Sequence, residues 1–568
     1  MSDDHHMIEE SSPDDFRSAD PSNDEPQLIS PLVMGFAGTG ANPLPDPRIR
    51  RAAGTVLVGQ TFNVVGMLLS LIAVPLYLQW LGRDGYGLLL TGLAFAGYLT
   101  FANVGLSWAS IILIAQASGK DDHGKIAAIV RNSISLAFVS VIVVACVAGA
   151  VVATLRSGVR LPFFPDDPEF PLLLAVVAAS VCLSLISSPF YGLYNGLQRG
   201  YIAGVFQGLG RLCGVCAALY TAWSGASVAA VLLANVLVAF LFNVAAAVNT
   251  RYQYPWAFVR GPLWQRDQIR SQFRTGIKNF GLQIGGVLVG TAPVLAISSQ
   301  LGAAAVPLFT VPFMLINLPL SLFFSINSAL QSGYGEAHGR GDSAWITRTI
   351  RLVLEHLLLA IALLSVGYFF VGADFIAVWT QSKLHVQLPE LLSAWLVAVP
   401  LSLLGVFRFV LVGLNRQRTA AVSEILFGLL ALTLASLAAQ RFGIDGVGPA
   451  ICLAALCTST WVLPTQVRKA FPQVAFTPEL SFIVRALAIL VIALVAGAAA
   501  RWLSNGISRE LAIIFEVIAI TAAFIVAAAQ LLPETYSRIH RLAFDRMLVP
   551  IRDRIMRRSG NVNDKTAA

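Results

Sequence analysis

A chain of 568 residues with a formal charge of +8 is 56% hydrophobic and only 12% charged, about half the charged share of a soluble domain. Its mean hydropathy of +0.71 excludes a water-soluble globule, and with it soluble enzymes and nucleic-acid-binding modules. Runs of about 20 apolar residues succeed one another, enough to cross a ~30 Å hydrocarbon layer, so the fold class is an all-α polytopic membrane protein.

The chain opens on an acidic stretch, residues 1–47, that includes MSDDHHMIEESSPDDFRSADPSNDEP. It is rich in Pro and Ser and poor in aromatics, so it cannot offset its ordering entropy and is expected to be a disordered cytoplasmic tail. It has no basic region followed by an apolar run and is not a signal peptide. About 14 transmembrane helices follow. They are expected at 54–80, 86–110, 132–154, 171–195, 201–222, 226–248, 277–300, 304–330, 350–372, 390–413, 420–440, 446–465, 482–503 and 510–532. They group into an N-terminal six-helix lobe at 48–250, a basic cytoplasmic linker at 251–276 and a C-terminal six-helix lobe at 277–470. Two additional helices, the thirteenth and fourteenth, fall within 471–532. In the tail at 533–568, Ile539, Leu542, Met547, Ile551 and Ile555 are set among arginines. That pattern predicts a basic amphipathic helix, interrupted at Pro550, lying on an anionic cytoplasmic leaflet.

Lysine and arginine mark the inside. With a cytoplasmic N-terminus, the inside segments collect Arg48, Arg50 and Arg51, then Lys120, Lys125 and Arg131, then Arg251, Arg260, Arg266, Arg270, Arg274 and Lys278. The outside loops hold only Arg83, Arg156, Arg160, Lys383, Arg441, Arg501 and Arg509. An even number of spans puts both termini in the cytoplasm. The longest outside loops, about 155–170 and 373–389, leave no room for an extracytoplasmic catalytic domain. All six cysteines fall in apolar spans, and Cys213 and Cys216 have no third metal ligand nearby; all six are expected to be small buried packing residues. Neither a metal-ligand set nor a nucleotide-binding loop stands out. The expectation is a protein with no cofactor and no enzymatic activity, driven by an ion gradient, the membrane potential or substrate flux.

The chain also repeats itself. Leu81-Gly82 ends the first span and Leu301-Gly302 the seventh, an offset of 220. ASGKDDHGKIAAIVRNS after the second span matches HGRGDSAWITRTIRLVL after the eighth, with Asp122 over Asp342 and Arg131 over Arg351. Gly196-Leu197-Gln198-Arg199 then falls on Gly413-Leu414-Asn415-Arg416, an offset of 217. Spans 1–6 and 7–12 are therefore two copies of one unit. Six is even, so the copies are parallel repeats about an axis along the membrane normal, with substrate expected between them near the midplane.

PLYLQWLGRDGYGLLLTG, followed by NVGLSWASIILIAQASGKDD, resembles the start of a bacterial polysaccharide flippase. Such proteins form the polysaccharide transporter branch of the multidrug/oligosaccharidyl-lipid/polysaccharide (MOP) exporter superfamily. The resemblance rests on Leu81, Gly82, Tyr86 and Gly87 at the first turn, Gly105 and Leu106 in the second span, and the Gly-Leu-x-Arg turn. It covers about residues 50–465. It implies a V-shaped bundle of two six-helix lobes in the bacterial inner membrane. It also implies export of an undecaprenyl-pyrophosphate-linked oligosaccharide from the cytoplasmic to the periplasmic leaflet by alternating access, for surface polysaccharide or exopolysaccharide biosynthesis. The implied partners are the lipid-linked oligosaccharide, membrane lipids, H+ or Na+, and polysaccharide polymerase and export proteins.

A carrier of such a substrate has to shelter a pyrophosphate and a glycan, so its cavity needs cations, amides and hydroxyls at membrane depth, where charges are costly. Arg211 in the fifth span and Arg408 in the tenth are candidate cavity cations, against a snorkelling or paired role. Arg274 and Lys278 share one face of the seventh span's start and serve either to collect a diphosphate headgroup or as inside anchors. Glu424 is the one carboxylate well inside the twelve repeat spans and stands opposite Gln207; it is a proton or Na+ coupling candidate or an arginine's partner. Gln60, Asn63, Gln283 and Asn327 are candidates for sugar hydroxyls, or for bonds to neighbouring helices. The glycine series Gly200/Gly204/Gly208 and Gly281/Gly285 are close-packing faces, and Pro75, Pro293, Pro312 and Pro319 are candidate hinges. A multidrug or cation antiporter of the same superfamily would carry acidic residues in its first lobe, and none lies inside spans 1–6. A peptidoglycan-precursor flippase is the nearer alternative.

Overall fold

The computed structural model describes residues 47–103, 105–159, 161, 164–259, 261, 262, 264–471 and 479–533, with the backbone alone at 47–57, 278, 279, 329 and 332. The expected acidic tail and amphipathic tail helix lie outside the described residues, apart from Pro47 and Pro533. Among the described residues every regular element is helical, since lipid offers backbone groups no partner and a helix satisfies them internally.

The first repeat comprises α1 (Pro47–Trp80), α2 (Gly82–Leu99) with the 3-10 turn Thr100–Asn103, α3 (Leu106–Ser118), α4 (His123–Arg156), α5 (Phe170–Gly196), α6 (Gly200–Trp223) and α7 (Val228–Gln253). The second comprises α8 (Arg266–Leu301), α9 (Val306–Gly339), α10 (Ser343–Trp379), α11 (Leu388–Gly413), α12 (Gln417–Phe442), α13 (Val447–Cys457) and α14 (Ser459–Ala470). The additional pair is α15 (Leu480–Leu503) and α16 (Arg509–Leu531). Among the described residues thirteen helical stretches are long and apolar enough to cross a membrane. The stretch over Gln417–Ala470 has 54 residues, more than two crossings need. It reverses at the turn Gly443–Gly446, where Gly443 has φ +65°, so it contributes two spans and the described residues supply fourteen.

The duplication is visible in the packing. α1 lies on α6 as α8 lies on α12, α3 on α5 as α9 on α11, and α4 on α5 as α10 on α11. α6 on α7 and α5 on α7 are likewise echoed by α12 and α11 on α13. The turns recur for local reasons. Gly82 and Gly302 both sit at positive φ, which a Cβ disfavours. Asp122 and Asp342 both cap the next helix, accepting from the N–H of Lys125 at 2.8 Å and of Trp345 at 2.9 Å. Gln198 and Asn415 both take the left-handed conformation, while the N–H groups of Arg199 and Arg416 reach back to the Tyr194 and Leu411 carbonyls. That is a Schellman stop. The Gly-Leu-x-Arg turn therefore ends a helix in each copy.

Two expected spans are broken. The second stops at Leu99 and restarts only at Leu106. Gly105 between them has φ +69°, and a Cβ there would stand 2.5 Å from the Gly276 carbonyl of α8. Both its positive φ and that close approach call for glycine at the break. The twelfth span breaks at Thr458, between α13 and α14. The cysteines correct another expectation: Cys146, Cys213, Cys216 and Cys457 are exposed. A bilayer covers an apolar outer face, so apolarity does not require burial in protein.

The lobes meet along α2 and α8, where the Thr91 and Ser298 hydroxyls lie 3.1 Å apart and those of Tyr98 and Thr291 3.0 Å. A further bond joins α10 to α1: Trp379 Nε1 donates to the Leu71 carbonyl at 3.0 Å. Pro75 has no N–H, so Leu71 lacks its helical donor four residues on, and the indole takes that place. Trp379→Phe is expected to cost about 1 kcal/mol, read as a lower thermal midpoint. Pro75→Ala returns an N–H to the same oxygen, so Trp379→Phe in that background should cost less; an equal cost in both backgrounds would show the bond to be idle. On the far side, Arg351–Glu479 at 3.2 Å and Arg501–Asp374 at 3.1 Å tie the additional pair to α10. Glu516 accepts from Ser504 Oγ at 3.0 Å within that pair.

Candidate functional site

The second lobe encloses a cavity of about 400 Å³ between α8, α9, α11, α12 and α14. Of its polar lining, Asn317 and Ser321 lie one turn apart on α9, with Asn327 further along the same helix, and α11 contributes Ser402 and Arg408. Phe313, Phe323, Phe324 and Phe427 supply apolar wall. Ser459 lines it at the broken twelfth span, its hydroxyl 2.9 Å from that of Ser423. Interrupted backbone at membrane depth is tolerated where it borders a cavity.

Among the described residues Arg408 and Glu424 are the only charged ones lining this cavity, and they form an ion pair, with Arg408 Nε 3.3 Å from Glu424 Oε1. Glu424 is 7% exposed, and its other oxygen, Oε2, has no hydrogen-bond partner among the described residues. Its place is fixed by Gly285 of α8, where a Cβ would overlap that of Glu424. Gly286 next to it leaves room for the guanidinium, whose Nη2 would stand 3.5 Å from a Cβ there. Asn327, 2% exposed, donates from Nδ2 to the Phe323 carbonyl at 3.0 Å, and its Oδ1 has no partner among the described residues.

The structure thus brings Arg408, Glu424 and Asn327 together, and the other candidates lie elsewhere. Arg211 is exposed on α6, its guanidinium against Gly66 of α1, with Cζ 3.5 Å from where a Cβ would be. Gly66 is the counterpart of Gly286 at offset 220. Each lobe therefore lays an arginine over the same glycine of its first helix, though the arginines come from non-equivalent helices. Gln60 and Asn63 are exposed on α1. Gln283 Nε2 donates to Thr100 Oγ1 at 3.4 Å in the lobe seam, so it faces the opposite lobe. Arg274 is exposed on the first turns of α8; Lys278 follows on the same helix, and its side chain lies outside the described residues. Asn317, Ser321, Ser402 and Ser459 were not singled out from the sequence. The 317/321/324/327 periodicity along the eighth span was the available signal.

Residues 54–331 match a family described as polysaccharide biosynthesis protein. No curated protein matches the chain in sequence. Among solved structures, the fold is similar to that of a lipid II flippase MurJ in an inward closed conformation, with a TM-score of 0.63 and 11% identity over 84% of this chain and 99% of that one. It is also similar to a multidrug resistance MATE family transporter of the MOP superfamily. The inward-facing form gives a TM-score of 0.56 and 16% identity, over 74% of this chain and 100% of that one. The outward-facing form gives 0.52 and 14%, over 78% and 98%. Identities this low speak for the fold alone.

Proposed function

We propose that this chain, whose residues 54–331 match the polysaccharide biosynthesis protein family and whose fold is similar to that of a MOP-superfamily transporter, is a flippase for an undecaprenyl-pyrophosphate-linked oligosaccharide. It would carry that substrate from the cytoplasmic to the periplasmic leaflet of a bacterial inner membrane, with both termini cytoplasmic. The observation that supports this reading best is the second-lobe cavity, where Arg408 offers a cation amid amides, hydroxyls and aromatic wall. A diphosphate needs the first and a glycan the rest. Arg211 adds a cation in the first lobe without an ion-pair partner among the described residues.

In this reading the lobes at 48–250 and 277–470 rock about the 251–276 linker. Gln60, Asn63, Gln283 and Asn327 meet sugar or line its path. Arg274 and Lys278 collect headgroups at the inner leaflet, and Glu424 serves coupling to H+ or Na+. Cation antiport fits less well, because the one carboxylate in the cavity is already held by an arginine. A peptidoglycan precursor is the second reading, favoured by the likeness to a lipid II flippase.

Deleting the gene is expected to abolish surface polysaccharide and to accumulate its lipid-linked precursor on the cytoplasmic face. Intact surface glycan with loss of dye efflux alone would refute the proposal. Loss of cell-wall synthesis instead would select the peptidoglycan reading. Arg211→Ala is expected to insert normally and to lose export; unaltered export would take Arg211 out of the substrate path.

A further inference from the structure

We infer that Glu424 is an internal competitor for the substrate's anionic group at Arg408, a residue that sets affinity and turnover without touching the substrate. The inference rests on the reading of this cavity as a diphosphate site.

Arg408 is only half used. Its Nε meets Glu424, while Nη1 and Nη2 have no acceptor among the described residues and lie over Gly286, a cavity-lining position with no side chain to cover them. A guanidinium presents its donors as a planar fork, and the free edge suits two phosphate oxygens at once. Glu424 borders the same cavity from a backbone that has no room to shift. Its Cβ is seated on Gly285 and its backbone is pressed against α8, so closely that a Cβ on Gly285 would stand 2.9 Å from the Glu424 carbonyl carbon. Its backbone is thereby held beside the phosphate site while its carboxylate pairs with Arg408, and its unpartnered Oε2 shows that no other described residue hydrogen-bonds that oxygen.

The first lobe carries no such pair. The counterparts of Arg408 and Glu424 at offset 217 are Tyr191 and Gln207, both uncharged, and Tyr191 donates to Asn243 Oδ1 at 2.6 Å. The pair belongs to the second lobe alone, beside a cavity that combines a cation with several amides and hydroxyls.

A carrier has to reorient empty as well as loaded. An unpaired guanidinium in a low-dielectric site is costly to hold, and Glu424 neutralises it while the cavity is empty. When the diphosphate arrives, its charges take over Arg408 through the free amines, and repulsion from the adjacent carboxylate weakens the complex and favours release. Glu424 thus lowers affinity and speeds the cycle.

The test uses full-length protein in lipid nanodiscs with inorganic pyrophosphate as probe, alongside complementation of surface polysaccharide in cells. Glu424→Gln is expected to bind pyrophosphate about 10-fold more tightly and to restore about 10-fold less polysaccharide per molecule. Glu424→Met, of similar length and also uncharged, serves as a second variant with the same expected gain in affinity if the first fails to accumulate. Arg408→Gln is expected to lose pyrophosphate binding. Unchanged or weaker affinity in both Glu424 variants, with binding still dependent on Arg408, overturns the inference and leaves the site reading standing. Pyrophosphate binding indifferent to Arg408 overturns both.

Discussion

Gly87→Val is expected to insert, accumulate in the membrane and transport nothing. Gly87 lies in the second turn of α2, and a Cβ there would overlap the Ala303 carbonyl oxygen, stand 2.6 Å from its carbon and 3.2 Å from Pro307 Cδ. All three atoms belong to the opposite lobe, in the turn Ala303–Ala305 and the start of α9. The first lobe folds without touching them, so the substitution acts only when the two lobes meet at this end. In the proposed topology that is the periplasmic end, and the clash forbids its closure. Overpacking against backbone costs about 3 kcal/mol, which shifts a two-state equilibrium roughly 100-fold away from the closed form. Complementation of surface polysaccharide, normalised to protein in the membrane, reads the effect. Gly149→Val is the control, because a Cβ at Gly149 has nothing within 4 Å. If Gly87→Val transports like the wild type, this seam does not separate and rejoin in the cycle.

The sequence exposed the duplication because its landmarks are set by local backbone chemistry. A glycine at positive φ, an aspartate cap and a Schellman stop each need particular residues at particular steps, so Gly82 and Gly302, Asp122 and Asp342, and Gln198 and Asn415 can be aligned by eye. What depends on a neighbouring helix left no such trace. The close approach of the Gly276 carbonyl, 171 residues away in the chain, to Gly105 at the break is one such feature, while the apolar run itself continues unbroken. The pairing of Arg408 with Glu424 joins two helices whose rotation no periodicity fixes in advance. Both residues were legible as costly charges at membrane depth, and an arginine partner was one of the two readings of Glu424; that the partner is Arg408 was not legible. The exposed cysteines mark the same boundary, since apolarity predicts avoidance of water and says nothing about whether lipid or protein supplies the cover.

Gly285→Leu should remove most of the protein from the membrane, whereas Gly286→Ala, one residue on, should leave its amount unchanged. In LQIGGVLVG the two glycines carry the same signal, but successive residues on a helix point about 100° apart. Gly285 faces α12, where a Cβ would overlap that of Glu424, stand 2.9 Å from the Glu424 carbonyl carbon and 3.0 Å from the Ile425 nitrogen. Backbone atoms inside a helix cannot step aside, so a leucine has to separate α8 from α12 along the lobe's closest seam, at about 3 kcal/mol or more. That is a large part of the roughly 5–15 kcal/mol by which proteins are ordinarily stable. Gly286 faces only the end of the Arg408 side chain, at ordinary contact distances of 3.5 to 4.0 Å, and alanine fits. The first lobe shows the same rule with the roles exchanged. There α1 carries Val65 where α8 has Gly285, and α6 supplies the glycines, Gly204 against Val58 and Gly208 against Phe62. Each of these contacts has one bulky partner, and Gly285→Leu would give its own contact two. Equal membrane amounts of the two variants would mean that this seam is looser than the contacts imply.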